Sequence, residues 1–536
     1  MTTPRERRRA PRALPWLVAL LASAFGAPPA IGEEDEAGAS KQVMPLTLQQ
    51  CIHLAERNSI PVRIEEVNVQ IGEAELGSSL GVFDTVFFSS YEYGKSISPT
   101  VSRLSTGNIF APSTETVVTG ILNESHSVNS GFRGSLIGGG SYQADANWVK
   151  TERNPVTFGN FNPEYTSGIG LAVTQPLLRG FGSAVSKAGV LIARNAMLGA
   201  AENLEATREA RAEEVVIAYW NHYFAIRNLG TRELLVEQGE RLVEINQKKL
   251  DVGEFRRIDV VEAESTLATR EQERIAAVNE IGRAADALKR LIFPFETREE
   301  WEIEVVPLTE AKEGAVDRPS WHDAARVALE RRHELRQKRL QLDNDDIGIM
   351  VAENTQLPQL DLTASLRFNQ LAQTSGDVTN YDDDFYSIGA GVNLEVPLGN
   401  RTARYDLAAA RLTKIRSLLE YKDLENQIIQ EVRDAVRDVS NRQEQIVAAG
   451  EASRLAKERW VAEQKRQETG YSTTFQVRDA EAAWQESEDA YLRALFDYQV
   501  ALASLHAAQG TLLEEYGLLA APQPRLDDRA GVLFDS

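Results

Sequence analysis

Apolar residues in the segment 46–80 recur at helical spacing, with Leu48, Ile52 and Ala55 followed by Ile64, Val67, Ile71 and Ala74. Thr47, with Gln50 three positions on, has the form of a capping box, and Pro61 predicts that two helices are made instead of one. Near Val82 the period falls to two. Val82, Phe83, Val86, Phe87, Phe88, Tyr91 and Tyr93 are the β-branched and aromatic types that a strand favours. The Ser/Thr/Asn-rich stretch 95–129 is expected to be loop, followed by an additional hairpin, 132–137 with 142–149, turning at Gly138-Gly139-Gly140. Residues 165–177 alternate again. A proline-free helical segment, 183–252, then runs for a length of about 105 Å. Gly253 ends it, at the position where a helix C-terminus favours glycine. A returning helix carries Val278, Ile281, Ala285, Leu288 and Ile292 in a heptad-like rhythm.

The same succession follows a second time. Segments 360–371 and 385–396 alternate around a polar loop, 401–469 is a second long helix ended by Gly470, and Tyr491, Leu495, Tyr498, Leu502 and Leu505 mark the returning helix. The copies align residue by residue: Gly253-Glu254-Phe255-Arg256-Arg257-Ile258-Asp259 becomes Gly470-Tyr471-Ser472-Thr473-Thr474-Phe475-Gln476, 217 positions later. Val173-Thr174-Gln175-Pro176-Leu177 has its counterpart in Leu394-Glu395-Val396-Pro397-Leu398, and Thr47-Leu48…Ala55 in Ser320-Trp321…Ala328. A unit this long is not a solenoid repeat, whose period is about 20–50 residues. The expected divisions are a first repeat at 46–292, a proline-bearing connector at 293–319, a second repeat at 320–516 and a tail at 517–536. The first repeat is the longer, and its surplus falls in the hairpin region.

Composition is globular, with 43% hydrophobic and 26% charged residues, and the net charge of −21 disfavours a nucleic-acid partner. Arg5, Arg7, Arg8, Arg9 and Arg12 precede a short apolar run and the small residues Ala30 and Gly32, so 1–32 reads as an export signal and 33–45 as an acidic segment after it. No later stretch holds 18 consecutive apolar residues, so a membrane crossing would be made by strands. The one cysteine, Cys51, has no partner for a disulfide and reads as a small residue on a helix face.

The search for reactive chemistry returns little. Asp343-Asn344-Asp345-Asp346-Ile347-Gly348 begins like a calcium loop, but Ile347 falls on a ligand position and Asn354 replaces the closing Glu. The six histidines lack ligand spacing, the glycine triple is followed by no Lys, and no Ser/His/Asp arrangement is evident. The expectation is a non-enzyme with no cofactor and no metal. The rival readings are a periplasmic coiled-coil adaptor or structural protein without a pore, and a barrel-bearing hydrolase. Aromatic, alternating hairpins argue against the first, and the missing triad against the second.

The doubled succession of helix, hairpin, long helix, turn and returning helix resembles the TolC-like outer-membrane efflux proteins. The resemblance rests on Thr47-Leu48…Ala55…Asn58…Pro61, Thr174-Gln175-Pro176-Leu177, Val396-Pro397-Leu398, Arg401…Arg404…Ala408-Ala409-Ala410 and the two glycine turns. It implies an α+β membrane protein, a homotrimer in which each chain gives four strands to a shared twelve-stranded barrel and its helices to a long periplasmic α-barrel. It also implies a passive outer-membrane exit duct for efflux or secretion, extending into the periplasm of a Gram-negative cell. A periplasmic adaptor and an inner-membrane pump or ABC transporter would be its partners. The material before Tyr165 exceeds the family minimum. By position, Asp259 and Asp479 match the family's acidic gate residues, Gln476 stands where a further acid is common, and Ser472 where an Arg can occur. Arg256 or Arg257 is expected to pair with Asp259, Glu262 or Asp479 across a closed aperture. The turns containing Gly253, Glu254, Gly470, Tyr471 and Ser472 would meet the adaptor. Asp382, Asp383 and Asp384 lie in an expected external loop, as a solvated run or as an acidic ring at the mouth.

Overall fold

The computed structural model describes residues 43–105, 114–154, 161–295, 297, 299–311, 320–382 and 384–518, with side chains except at 100–119, 299 and 468. The expected signal peptide and nearly all of the tail lie outside the described residues. Strand β1 (Val43–Leu46) leads into α1 (Leu48–Asn58) and α2 (Ile60–Leu80), and four strands follow: β2 (Val86–Ser105), β3 (Thr114–Ser135), β4 (Ser141–Asn154) and β5 (Glu164–Pro176). A short turn of helix, α3 (Ser183–Ser186), precedes α4 (Ala188–Asp251) and the returning α5 (Arg257–Ile292). β6 (Glu304–Pro307) connects to the second half: α6 (Trp321–Arg331), α7 (His333–Thr355), β7 (Gln359–Ala372), β8 (Tyr386–Glu395), α8 (Arg401–Glu468), α9 (Thr474–Gln509) and α10 (Leu512–Glu515).

Local chemistry accounts for the early breaks. Thr47 and Gln50 form the capping box at the start of α1, each side chain accepting from the other's backbone N–H. Pro61 sits in the first turn of α2, where its missing N–H costs nothing. Val82 and Phe83 belong to a tight 3-10 turn and not to the strand, which begins at Val86.

The largest departure from the sequence expectation is the stretch 95–129. It is strand over most of its length: β2 and β3 are antiparallel partners from Val86↔Arg133 to Ser105↔Thr114. The six strands form one antiparallel sheet in the order β2-β3-β4-β5-β7-β8. The described residues therefore supply six strands to this sheet, two more than the four the resemblance implied. The additional hairpin is present, and the glycine triple is its turn, closed by the Leu136 N–H donating to Gly140 O at 2.7 Å.

Composition hid what alternation carries. On one face β2 presents Phe87, Tyr91, Tyr93 and Ile97, and on the other Ser90, Glu92, Ser96 and Ser98. Register propagates these two faces across the sheet. The apolar face continues through Phe132 and Val128, Ala144 and Trp148, Leu171 and Ile169, Leu366 and Phe368, then Ile388 and Val392. The polar face carries Gln143, Asp145, Asn147, Arg367, Asn369 and Ser387. Arg367 on β7 reaches over β5 to Asp145 (2.6 Å) and Asn147 (3.0 Å) on β4. It can do so because Gly168 and Gly170 lie beneath it; a Cβ on Gly168 would stand 2.7 Å from Asn147 Oδ1.

Beyond the sheet, α2, α4, α7 and α8 neighbour one another in that order, and farther along α4 packs on α5 and α9, and α8 on α9. The core sits where α1, α6 and the parallel pair β1–β6 gird the middle of the long helices. Tyr219 of α4 is wholly buried there. Its hydroxyl accepts the Thr309 N–H at 2.8 Å and donates to Leu46 O at 3.3 Å, tying the girdle to the helix. Cys51 is buried in the same core, and burial pushes its thiol up to about 12.

The returning helix α5 differs from its expected stripe. Leu288 and Ile292 are buried, but Val278 is exposed, and the packed line between them and the turn at Gly253 is Ala263, Arg270, Ala277 and Ala284. Small side chains let α5 approach its neighbours closely, so the packed face follows alanine. The expected α2 stripe is likewise open: Ile64, Val67 and Ile71 are at least half exposed and Ala74 is exposed, while Val62, Gly72 and Leu76 face the chain's own core.

Two consequences of this packing are measurable. Replacing Tyr219→Phe strands the Thr309 N–H and should cost about 1–2 kcal/mol in denaturant titrations. Glu209 on α4 shares a cleft with Arg332, His333, Glu334, Glu431 and Ser504, and burial raises its pKa from 4.5 to about 7. The folded protein thus keeps a proton that the unfolded chain has released. That contribution is complete below about pH 4.5 and gone above about pH 7, so stability should fall as pH rises through this window. Glu209→Gln should flatten the fall, read from unfolding midpoints on either side of it.

Candidate gate at the helical turns

The two turns that end the long helices are built alike. In the first, Gly253 has φ 79°, the left-handed conformation, and the Glu254 N–H donates to Lys249 O at 2.8 Å. In the second, Gly470 has φ 81° and the Tyr471 N–H donates to Arg466 O at 2.8 Å. These are Schellman closures, which satisfy the orphan carbonyls of the departing helix. Three residues later each returning helix is capped. The Asp259 carboxylate accepts the Arg256 N–H at 2.8 Å, and Gln476 Oε1 accepts the Thr473 N–H at 3.0 Å. Asp259 and Gln476 are equivalent positions of the two repeats, and both hold a helix N-terminus.

The charges named from the sequence are distributed as follows. Arg256 is exposed and stands 3.5 Å from Asp259 within its own turn, and Arg257 and Glu254 face solvent. Asp479 pairs at 2.9 Å with Arg459 of α8. Ser472 donates to Glu463 at 2.6 Å, and together with Arg466 it draws that carboxyl below its usual range. Tyr471 is among the most exposed aromatic side chains of the described residues. Within one chain, therefore, Arg256 meets Asp259, and neither Glu262 nor Asp479 receives Arg256 or Arg257 among the described pairs. At the far end of the chain's strands, Asp382 accepts the Asp384 N–H at 3.3 Å in the turn before β8, and Asp383 lies outside the described residues.

Sequence reasoning passed over the strongest electrostatic feature near the turns. Arg270 of α5 and Glu481 of α9 form an ion pair in which both side chains are 7% exposed. Arg270 also donates to Leu235 O of α4 at 2.9 Å, and its guanidinium fits because α4 has Gly239 opposite. Burial raises the Glu481 pKa, and Arg270 opposes that rise. One turn higher, Arg232 of α4 bridges Asp489 (2.5 Å) and Glu273 (3.3 Å), and Gln485 donates to Glu273 at 2.9 Å. Arg270, Glu273, Glu481 and Gln485 border a cleft of about 310 Å³ between α5 and α9, with Glu262 and Arg478 at its lower rim. Beside this network, where α8 meets α9, Trp460 and Trp484 stack at 4.8 Å and pack with Leu235, Val477 and Ala480. A signal was available: Arg270 interrupts an alanine line of period seven, Ala263, Ala277 and Ala284.

Among the described residues no cluster could hold a metal ion, and no helix is long and apolar enough to cross a membrane. What remains is a two-faced sheet joined to bundled long helices with charged, glycine-hinged turns.

Comparison with known proteins agrees with that geometry. Residues 136–292 and 324–511 match the family described as outer membrane efflux protein. The outer membrane efflux protein BepC of Brucella suis biovar 1 (strain 1330) is 26% identical over 428 residues, covering 75% of this chain and 88% of that protein. The fold is that of the outer-membrane channel OprN (TM-score 0.61, 16% identity, 87% of this chain and 90% of that one). The Campylobacter jejuni channel CmeC (0.59, 15%, 92% and 95%) and the open state of Neisseria gonorrhoeae MtrE (0.58, 17%, 90% and 95%) share it. The matched residues cover most of the chain, and it belongs to the outer membrane efflux protein family, whose members are exit channels of the outer membrane.

Proposed function

We propose that copies of this chain assemble as a trimer, the number the family implies, into a passive duct whose periplasmic end is closed by the two helical turns. The observation that carries the reading is a coincidence of open edges. Strands β2 and β8 are the unpaired edges of the sheet, and α2 and α8, joined to them directly, end the row of helices. Both end helices leave apolar side chains in the open: Ile60, Ile64, Val67 and Ile71 on α2, and Tyr405, Leu412, Ile415 and Leu419 on α8. A second copy covers all of these surfaces at once.

The polar sheet face then lines a water-filled passage and the apolar face meets lipid. No catalytic chemistry is assigned. Energy comes from an inner-membrane pump, reached through a periplasmic adaptor that contacts Gly253, Glu254, Gly470, Tyr471 and Ser472. Asp382 and Asp384 add negative charge near the outer mouth. At the other end, Arg256 and Arg257 of one chain face Asp259, Glu262, Gln476 and Asp479 around the threefold axis. Charge-assisted contacts of about 1.5–3 kcal/mol each, made three times, hold such an aperture shut. The Arg270–Glu481 pair ties the two repeats behind it, so that the tips open by parting α5 from α9.

Planar-bilayer recording tests this. Wild type should show a small, cation-preferring conductance, and Asp259→Ala/Asp479→Ala a conductance several-fold higher. Inserted trimers that conduct nothing in either form would sink the duct. Arg270→Ala leaves Glu481 buried and unpaired and should cost about 3–5 kcal/mol, whereas Arg270→Met/Glu481→Leu should recover most of it. Conductance of that stable double variant should exceed wild type, and equal conductance would leave the pair a packing feature.

A further inference from the structure

We infer that the barrel closed by three copies has eighteen strands, through a seam in which β8 of one chain pairs antiparallel with β2 of the next. The inference rests on the trimeric reading above and adds the strand count, the seam and its register.

The sheet is continuous. β3 pairs with β4 through fourteen positions, from Leu122↔Asn154 to Ser135↔Ser141, so the β2–β3 hairpin is an integral part of the wall and not an appendage. Its inclusion leaves β2, not β4, as the free edge. In lipid an edge cannot stay open, because its N–H and C=O groups have no water to bond. The direction of the seam is set by the chain. β2 leaves the helical side after α2, and β8 returns to it before α8, so the two edges are antiparallel.

Facing alternation fixes the parity of the register. Tyr386, Ile388, Ala390, Val392 and Leu394 face outward on β8, in line with Phe87, Tyr91 and Tyr93 on β2. With the helix-side ends Val86 and Glu395 level, Leu394 falls opposite Phe87, Ala390 opposite Tyr91 and Ile388 opposite Tyr93. The apolar band then crosses the seam unbroken. A one-residue slip would turn Glu92 into the lipid.

Width gives an independent reason for six strands. At a spacing of about 4.8 Å and a tilt of about 40°, six strands span about 37 Å of circumference. Four helices in a row, at about 8–10 Å each, span about 32–40 Å. The row beneath this sheet has four members, α2, α4, α7 and α8. Here both layers close on one circumference, and the strand barrel is about 36 Å across at the backbone, against about 24 Å for twelve strands. The barrel is then not the narrow part of the passage.

Cysteine pairs in outer membranes distinguish the two closures, since native Cys51 is buried and its thiol held protonated. Ile388→Cys with Tyr93→Cys, or with Tyr91→Cys or Lys95→Cys as neighbouring registers, should oxidise to a covalent ladder ending at three chains. Ile388→Cys with Trp148→Cys, across a β8–β4 closure of twelve strands, should give none. The reverse pattern would overturn the proposal. A β8–β2 ladder ending at another number would overturn the count through the trimer itself, with the seam left standing. Electron cryomicroscopy of the wild-type protein in nanodiscs should resolve eighteen strands, and twelve would overturn the inference without recourse to any variant.

Discussion

Hydrocarbon offers no hydrogen bonds, and that constraint orders this molecule. A sheet with an apolar face on one side and Asp145, Asn147 and Arg367 on the other suits a wall between lipid and water. It suits that place once its edges are paired, because each unpaired N–H or C=O would cost several kcal/mol. Neither edge is paired among the described residues of the chain. The sheet is therefore a fragment of a closed object, and the helices continue the same incompleteness: α2 and α8 end their row with isoleucine, leucine and tyrosine exposed.

Away from the membrane the problem changes from satisfying the backbone to holding long helices together and reversing them. Alanine and glycine do the first. Ala263, Ala277 and Ala284 bring α5 close, and Gly239 makes room for Arg270. The buried Arg270–Glu481 pair does something alanine cannot, which is to link the two repeats at one register. A buried ion pair contributes little net stability over apolar packing. Its geometry is what it supplies: one arrangement of α4, α5 and α9 satisfies both charges, and sliding any helix leaves one unpaired. The turns below use glycine at positive φ for reversal and Asp259 or Gln476 for restarting, so positions carrying charge also carry helix capping.

Much of this could be read from residue order. The capping box at Thr47, the break at Pro61, the long helices up to Gly253 and Gly470, and the membership in the efflux family follow from local rules applied twice in one chain. The stretch 95–129 escaped because serine and asparagine signal loop by composition. In a strand with water on one face those residues are the expected lining, and the alternation of Phe87, Tyr91, Tyr93 and Ile97 carried the information instead. Val278 was misplaced for the converse reason: bulky residues mark a packed face in most helices, but close approach selects the small ones.

By itself the sequence determined the helices, the duplication and the glycine and capping chemistry of the turns, since these depend on neighbours within a few positions along the chain. The tertiary structure decided which faces close on one another. Strand number, the crossing of Arg367 over Gly168 to Asp145, the open stripe of α2 and the meeting of Arg270 with Glu481 join residues up to some 220 positions apart. No local pattern encodes such pairings, because the energy that selects them, burial of charge and completion of the ladder, exists once the distant partner has arrived.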